Sequence, residues 1–279
     1  MIKRILVALD PDSDTPVATR YAAEIALRHE SSVVGLAVVD TGHIEAAGRG
    51  GGVGSMYYAE KLKANLTDET RQKAGELVQN FRSAMRETGV PFTDVVEEGV
   101  PFRRIVEDMK YHDLLVVGRE PHFFYGHPDE KTNTLAKVVK ETSAPTLVVG
   151  KSHQPIGRIM VAYDGSAASA RTVQFFAHLQ PFGTDVDLDI VNVHSGNEDE
   201  SRLIVRLMAS YLETHGFEVR QTSIRGDDTA KQISEYAAQS GADIVVAGAH
   251  AVSKIKRLAF GSATARLLTD CPKPLFLHH

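Results

Sequence analysis

The run Gly261-Ser262-Ala263-Thr264 stands directly ahead of a helix-period segment, Ala265–Asp270. A helix that opens on Gly-Ser turns free N–H groups, a hydroxyl and the positive end of its dipole toward one point. That arrangement suits an anion, phosphate above all. Upstream, an apolar run closes on Gly248 and is followed by Ala249-His250-Ala251. Gly248 allows close approach of backbone. Lys254, Lys256 and Arg257 lie between the two groups and supply positive charge for further phosphate oxygens. A third group, Tyr163-Asp164-Gly165-Ser166, closes another apolar run. Asp164 either accepts hydrogen bonds from a ribose or base, or caps the next helix. The residue types leave both readings open, while Ser166 is itself a good cap and Gly165 permits a tight turn.

These groups need elements that bring them together. The apolar runs are short and β-branched, with the continuous character of strands buried on both faces. They fall at 2–9, 33–39, 93–97, 113–118 and 145–149, then at 158–163, 186–193, 218–224, 243–248 and 274–277. Between them apolar residues recur at three- and four-residue spacing, which predicts helices over 16–28, 70–88, 167–179, 200–214 and 229–240. Strand and helix in alternation mean right-handed crossovers and a parallel sheet. In such sheets ligands lie outside the carboxyl ends of the strands, which is where Asp164 and Gly248 fall.

The pattern occurs twice. Arg4-Ile5-Leu6-Val7-Ala8-Leu9-Asp10 matches Arg158-Ile159-Met160-Val161-Ala162-Tyr163-Asp164. Asp113-Leu114-Leu115-Val116-Val117-Gly118 matches Asp243-Ile244-Val245-Val246-Ala247-Gly248, and Ala144–Val149 matches Lys273–Leu277. The expected architecture is α/β: two tandem, doubly wound, five-stranded parallel-sheet domains of Rossmann-like type, 1–151 and 157–279. Their last strands, Pro145–Val149 and Pro274–Leu277, are expected to cover each other's edges.

The second half resembles the universal stress protein family. ATP-binding members of that family carry G-x2-G-x9-G-[ST] after the fourth strand and an Asp closing the first. This sequence has Gly248-x2-Ala251-x9-Gly261-Ser262, with Asp164 in place. His250, Arg257-Leu258 and the closing Pro274-Leu275-Phe276-Leu277 also look like the family, and the resemblance spans nearly the whole chain, twice. It implies an adenine nucleotide alpha-hydrolase-like fold and a cytoplasmic stress-response protein that binds ATP or AMP, with or without Mg2+. The role implied is regulatory, with slow ATP hydrolysis at most, and the two halves would form an internal pseudo-dimer open to homodimer formation. The nucleotide-binding residues implied are Asp164, Val193, Gly248, His250, Ala251, Gly261, Ser262, Ala263 and Thr264, with Val193 flanking the base. Ala251 departs from the motif's glycine. It is costly if that position needs positive φ and harmless if only a small side chain is needed. An interaction scaffold that binds no nucleotide is the alternative reading, and a weak ATPase is another.

The first half departs further. Asp10 is present, but Pro11 replaces the following glycine. After Gly118 come Arg119-Glu120-Pro121 and the bulky His122-Phe123-Phe124-Tyr125, and Thr132-Asn133 replace Gly-Ser. This reads as a degenerate nucleotide site. Gly48–Gly54 lacks the Gly-Lys-[Ser/Thr] of a P-loop and reads as a mobile loop, with a short helix expected at Met56–Leu66. No His or Cys spacing matches a known metal motif, so no metal site is expected. The net charge of −5 gives no electrostatic reason to expect nucleic acid or an anionic membrane as partner. The apolar run ending at Asp10 is too short for a secretory leader, and a single cysteine, Cys271, suits a reducing compartment.

Overall fold

The computed structural model describes residues 1–41, 56–119, 134–249 and 262–279. It divides into two compact units: Lys3–Val138, and Val139–His279 together with Met1–Ile2.

In Lys3–Val138, β1 (Arg4–Leu9), α1 (Thr15–His29), β2 (Ser32–Asp40), α2 (Met56–Arg86), β3 (Phe92–Gly99), α3 (Pro101–Asp108) and β4 (Leu114–Gly118) follow one another. The strands run parallel in the order β3-β2-β1-β4, with Val7 opposite Gly35 on one side and Val116 on the other. β1 is buried from Ile5 to Leu9 and β4 throughout, as continuous apolar runs require. β3 is the edge strand and is nowhere fully buried. The sequence suggests a short helix at Met56–Leu66, separate from the one over 70–88. The structure has one helix of 31 residues instead, Met56–Arg86. Its buried stripe is Thr70, Ala74, Val78, Phe81 and Met85, spaced as one helical face. That stripe packs the helix from Thr70 onward, and its hydrogen-bond ladder runs unbroken back to Met56.

After α4 (Thr134–Glu141), the second unit contains β5 (Thr146–Val149), β6 (Arg158–Ala162), α5 (Ala167–Leu179), β7 (Asp187–His194), α6 (Glu198–Thr214), β8 (Val219–Arg225), α7 (Thr229–Gln239), β9 (Ile244–Gly248), α8 (Ser262–Asp270) and β10 (Leu275–His278). The strand order is β5-β10-β9-β6-β7-β8. Every pairing is parallel except one: β5 runs antiparallel to β10, with Leu147 opposite Phe276 and Val148 opposite Leu275. The parallel sheet expected from the sequence is thus mixed at this place. The strand that closes the first sequence repeat is packed into the second unit. Both β5 and β10 are fully buried four-residue strands, and pairing satisfies a row of backbone groups each would otherwise expose.

Candidate functional site

β6 ends where its parallel neighbours β7 and β9 also end, so their carboxyl-terminal residues gather at one rim. Asp164 lies two residues past the end of β6, after Tyr163, and is exposed. Its Oδ1 accepts the Ser166 N–H at 2.9 Å and the Ser169 hydroxyl at 2.6 Å. Gly165 takes φ +78°, the left-handed conformation that this tight turn needs. The cap of α5 is Ser166, whose side chain accepts the Ser169 N–H at 3.2 Å. The capping role open to both residues thus falls to Ser166, while Asp164 organises the turn ahead of it.

Gly248 closes β9. A Cβ there would lie 2.7 Å from the Ser169 nitrogen and 2.8 Å from its Cα. The glycine is therefore demanded by the first turn of α5, whatever ligand approaches. Thr264, in the first turn of α8, is 3 % exposed, and its hydroxyl donates to the Gly248 carbonyl at 3.2 Å. The Ala249 N–H donates to the His278 carbonyl at 2.7 Å, tying the end of β9 to β10. Asp164, Ser169, Gly248 and Thr264 form one chain of direct contacts across the ends of β6 and β9. Val193, half-buried near the end of β7, stands one strand over, paired in register with Ile224. The start of α8 is fixed a second time by Arg266. Its Nη1 donates to both oxygens of Asp228 at 2.6 and 2.7 Å. That contact, with the Lys231 N–H that Asp228 also accepts as cap of α7, holds the Asp228 carboxyl below its ordinary range.

His250, Ala251 and Gly261 lie outside the described residues, as do Gly48–Gly54 and the aromatic segment His122–Tyr125. Ser262 and Ala263 are described only as backbone of α8. Ser169 is the residue that sequence reasoning missed. Its signal was present, a hydroxyl one helical turn past the cap, but its part depends on Gly248 lying against it.

The corresponding place in the first unit is built differently. Asp10 follows β1 and is fully buried. Its Oδ1 accepts the Asp12 N–H at 2.8 Å, and its carbonyl accepts the Thr15 hydroxyl at 2.8 Å. Burial lifts the Asp10 carboxyl to about 7 in spite of the Asp12 hydrogen bond, and the charges of Asp12 and Asp14 add to the rise. Asp14 is 1 % exposed, and its Oδ2 accepts the Arg119 N–H at 2.9 Å.

A repeated α/β unit with parallel strands and helical crossovers, whose first strand is followed by an Asp and whose fourth closes on a Gly, defines a class of doubly wound α/β proteins. Within that class, the profile of the universal stress protein family matches residues 1–150 and 155–279. The chain belongs to the universal stress protein family, as two family domains in tandem. It is 25% identical over 288 residues to universal stress protein Slr1230 of Synechocystis sp., covering 98% of this chain and 99% of that one. Its fold is similar to that of a universal stress protein from Archaeoglobus fulgidus, at TM-score 0.71 and 17% identity over 99% of this chain and 95% of the other. A Pseudomonas aeruginosa protein of unknown function is similar at TM-score 0.65 and 16% identity, over 99% and 92% of the two chains. Among the described residues, no helix is long and apolar enough to cross a membrane.

Proposed function

We propose that the second unit binds an adenine nucleotide, ATP or AMP, at the carboxyl ends of β6, β7 and β9, and that the protein acts in the cytoplasm as a nucleotide-responsive regulator. The observation that carries this reading is the contact chain Asp164–Ser169–Gly248–Thr264. It supports a preformed rim in which the Asp of one strand and the first turn of α8 keep a fixed spacing. Asp164 holds the ribose or base. The α8 start, with Gly261, Ser262 and Ala263, takes the phosphates through free N–H groups and the helix dipole. Val193 flanks the base, and His250 and Ala251, in the sequence between Gly248 and Gly261, complete the set of binding residues. Mg2+ accompanies ATP by neutralising phosphate charge.

Titration calorimetry with ATP and AMP, with and without Mg2+, tests this directly. Asp164→Asn removes a charged acceptor and should weaken binding about 10- to 100-fold, the equivalent of about 1.5–3 kcal/mol. Wild-type protein that gives no heat with either nucleotide at millimolar concentration, and yields none on denaturing extraction, would sink the reading.

A further inference from the structure

The two repeats differ in charge at the same structural place. Asp14 stands where the second repeat has Ala168, each being four residues past the Asp that closes the first strand. In the first unit, each of two buried carboxylates is tethered through one oxygen to a backbone N–H: Asp10 Oδ1 to Asp12 at 2.8 Å and Asp14 Oδ2 to Arg119 at 2.9 Å. The other oxygen of each, Asp10 Oδ2 and Asp14 Oδ1, is buried with no hydrogen-bond partner. The side chains are 0 % and 1 % exposed. A Cβ on Gly118 would sit 3.0 Å from Asp14 Cγ, so that carboxylate lies over the end of β4. β4 pairs with β1, whose end carries Asp10. Both unsatisfied oxygens therefore belong to the carboxyl ends of two adjacent strands.

A carboxylate oxygen withdrawn from water without a donor is costly, and two on neighbouring groups cost more. A counter-charge removes that cost, and the donors offered are hard oxygens only. We infer that the carboxyl end of β1 and β4 in the first unit is a divalent-cation site, with Asp10 Oδ2 and Asp14 Oδ1 as its protein ligands. Among the described residues no group of three or more His, Cys, Asp or Glu is placed to cage a metal. Two carboxylate oxygens are the hard ligands that Mg2+ and Mn2+ take, and the remaining ligands would be waters that enter the closed site with the ion. The same two carboxylates, where ionised, repel a phosphate. The repeats are thus specialised for ligands of opposite sign, and the first is rebuilt rather than merely worn down.

The probe is Mn2+ added to the full chain without nucleotide, with free ion followed by electron paramagnetic resonance and stability by thermal unfolding. A single saturable site is expected, together with a rise in melting temperature. Asp10→Asn and Asp14→Asn should each weaken binding by about tenfold or more. Asp68→Asn, which changes an exposed acid on α2, should leave it unchanged. Should one of the two variants fail to fold, the other, with the Mn2+-dependent melting shift of the wild type, still decides. No saturable Mn2+ binding would overturn the inference, and so would binding that Asp10→Asn and Asp14→Asn leave intact. Neither result bears on nucleotide binding at Asp164, which is measured separately.

Discussion

At the scale of single residues, the candidate site rests on packing as much as on polar chemistry. Gly248 has Ser169 backbone where its Cβ would be. Gly248→Ala should therefore cost about 1–3 kcal/mol of stability through overpacking, read as a lower melting temperature even without ligand. His278 gives a second prediction. Its ring is 5 % exposed, lies 4.4 Å from Phe175 between centroids, and leaves Nδ1 without a partner. Burial, then the neighbouring His279 and Arg171, lower its pKa from 6.5 to about 4. The folded state then binds fewer protons than the unfolded chain between those values. The contribution of His278 to stability is complete above pH 6.5 and is lost as pH falls toward 4, by at most about 3 kcal/mol. Thermal unfolding at pH 7 and pH 5 should show a smaller pH-dependent drop in His278→Val than in the wild type. The strand-closing Asp164 and Gly248 were legible in the sequence, because a polar or small residue that ends an apolar run announces itself. Ser169 and Asp14 were not, because their significance arises only when β9 or β4 brings its glycine against them.

At the scale of elements, the site depends on how α8 is held. Thr264 ties its first turn to β9, and Arg266 ties its second turn to the cap of α7. The Arg266–Asp228 pair is nearly half exposed, so its loss should cost stability little. Its effect should appear in binding: Arg266→Ala loosens the angle at which α8 presents its N-terminus. Nucleotide affinity should fall about 2- to 5-fold in calorimetry, with the melting temperature barely changed. Strands and helices with one apolar face were readable from periodicity, mostly to within a residue or two. Both ends of α2 were readable, as a short helix at Met56–Leu66 and a longer one over 70–88; their fusion into one helix was not, because the hydrogen-bond ladder between them needs no particular side-chain pattern.

At the scale of the molecule, the unit of sequence and the unit of packing are out of step. The sequence repeat ends near residue 151, whereas the compact units divide between Val138 and Val139. Repeat matching located the duplication, and the expectation that the two last strands cover each other's edges is met by β5 on β10; what the pattern did not give is the antiparallel sense of that pair, because a four-residue apolar strand reads the same in either direction. A fragment beginning at Val139 keeps β5 on β10 and should melt at a higher temperature than one that lacks β5, read by thermal unfolding. A fragment beginning at Gly157 bares the outer edge of β10 and should self-associate or precipitate.

The β5–β10 pairing also sets a timetable for synthesis. On the ribosome, β5 emerges before any of the second repeat exists, and its antiparallel partner follows only after that repeat has been translated. At about 5–20 residues per second, β5 waits on the order of ten seconds for β10. The antiparallel pair cannot form until both repeats have been made, and a stall between them leaves one edge of β5 without the partner it has in the finished protein.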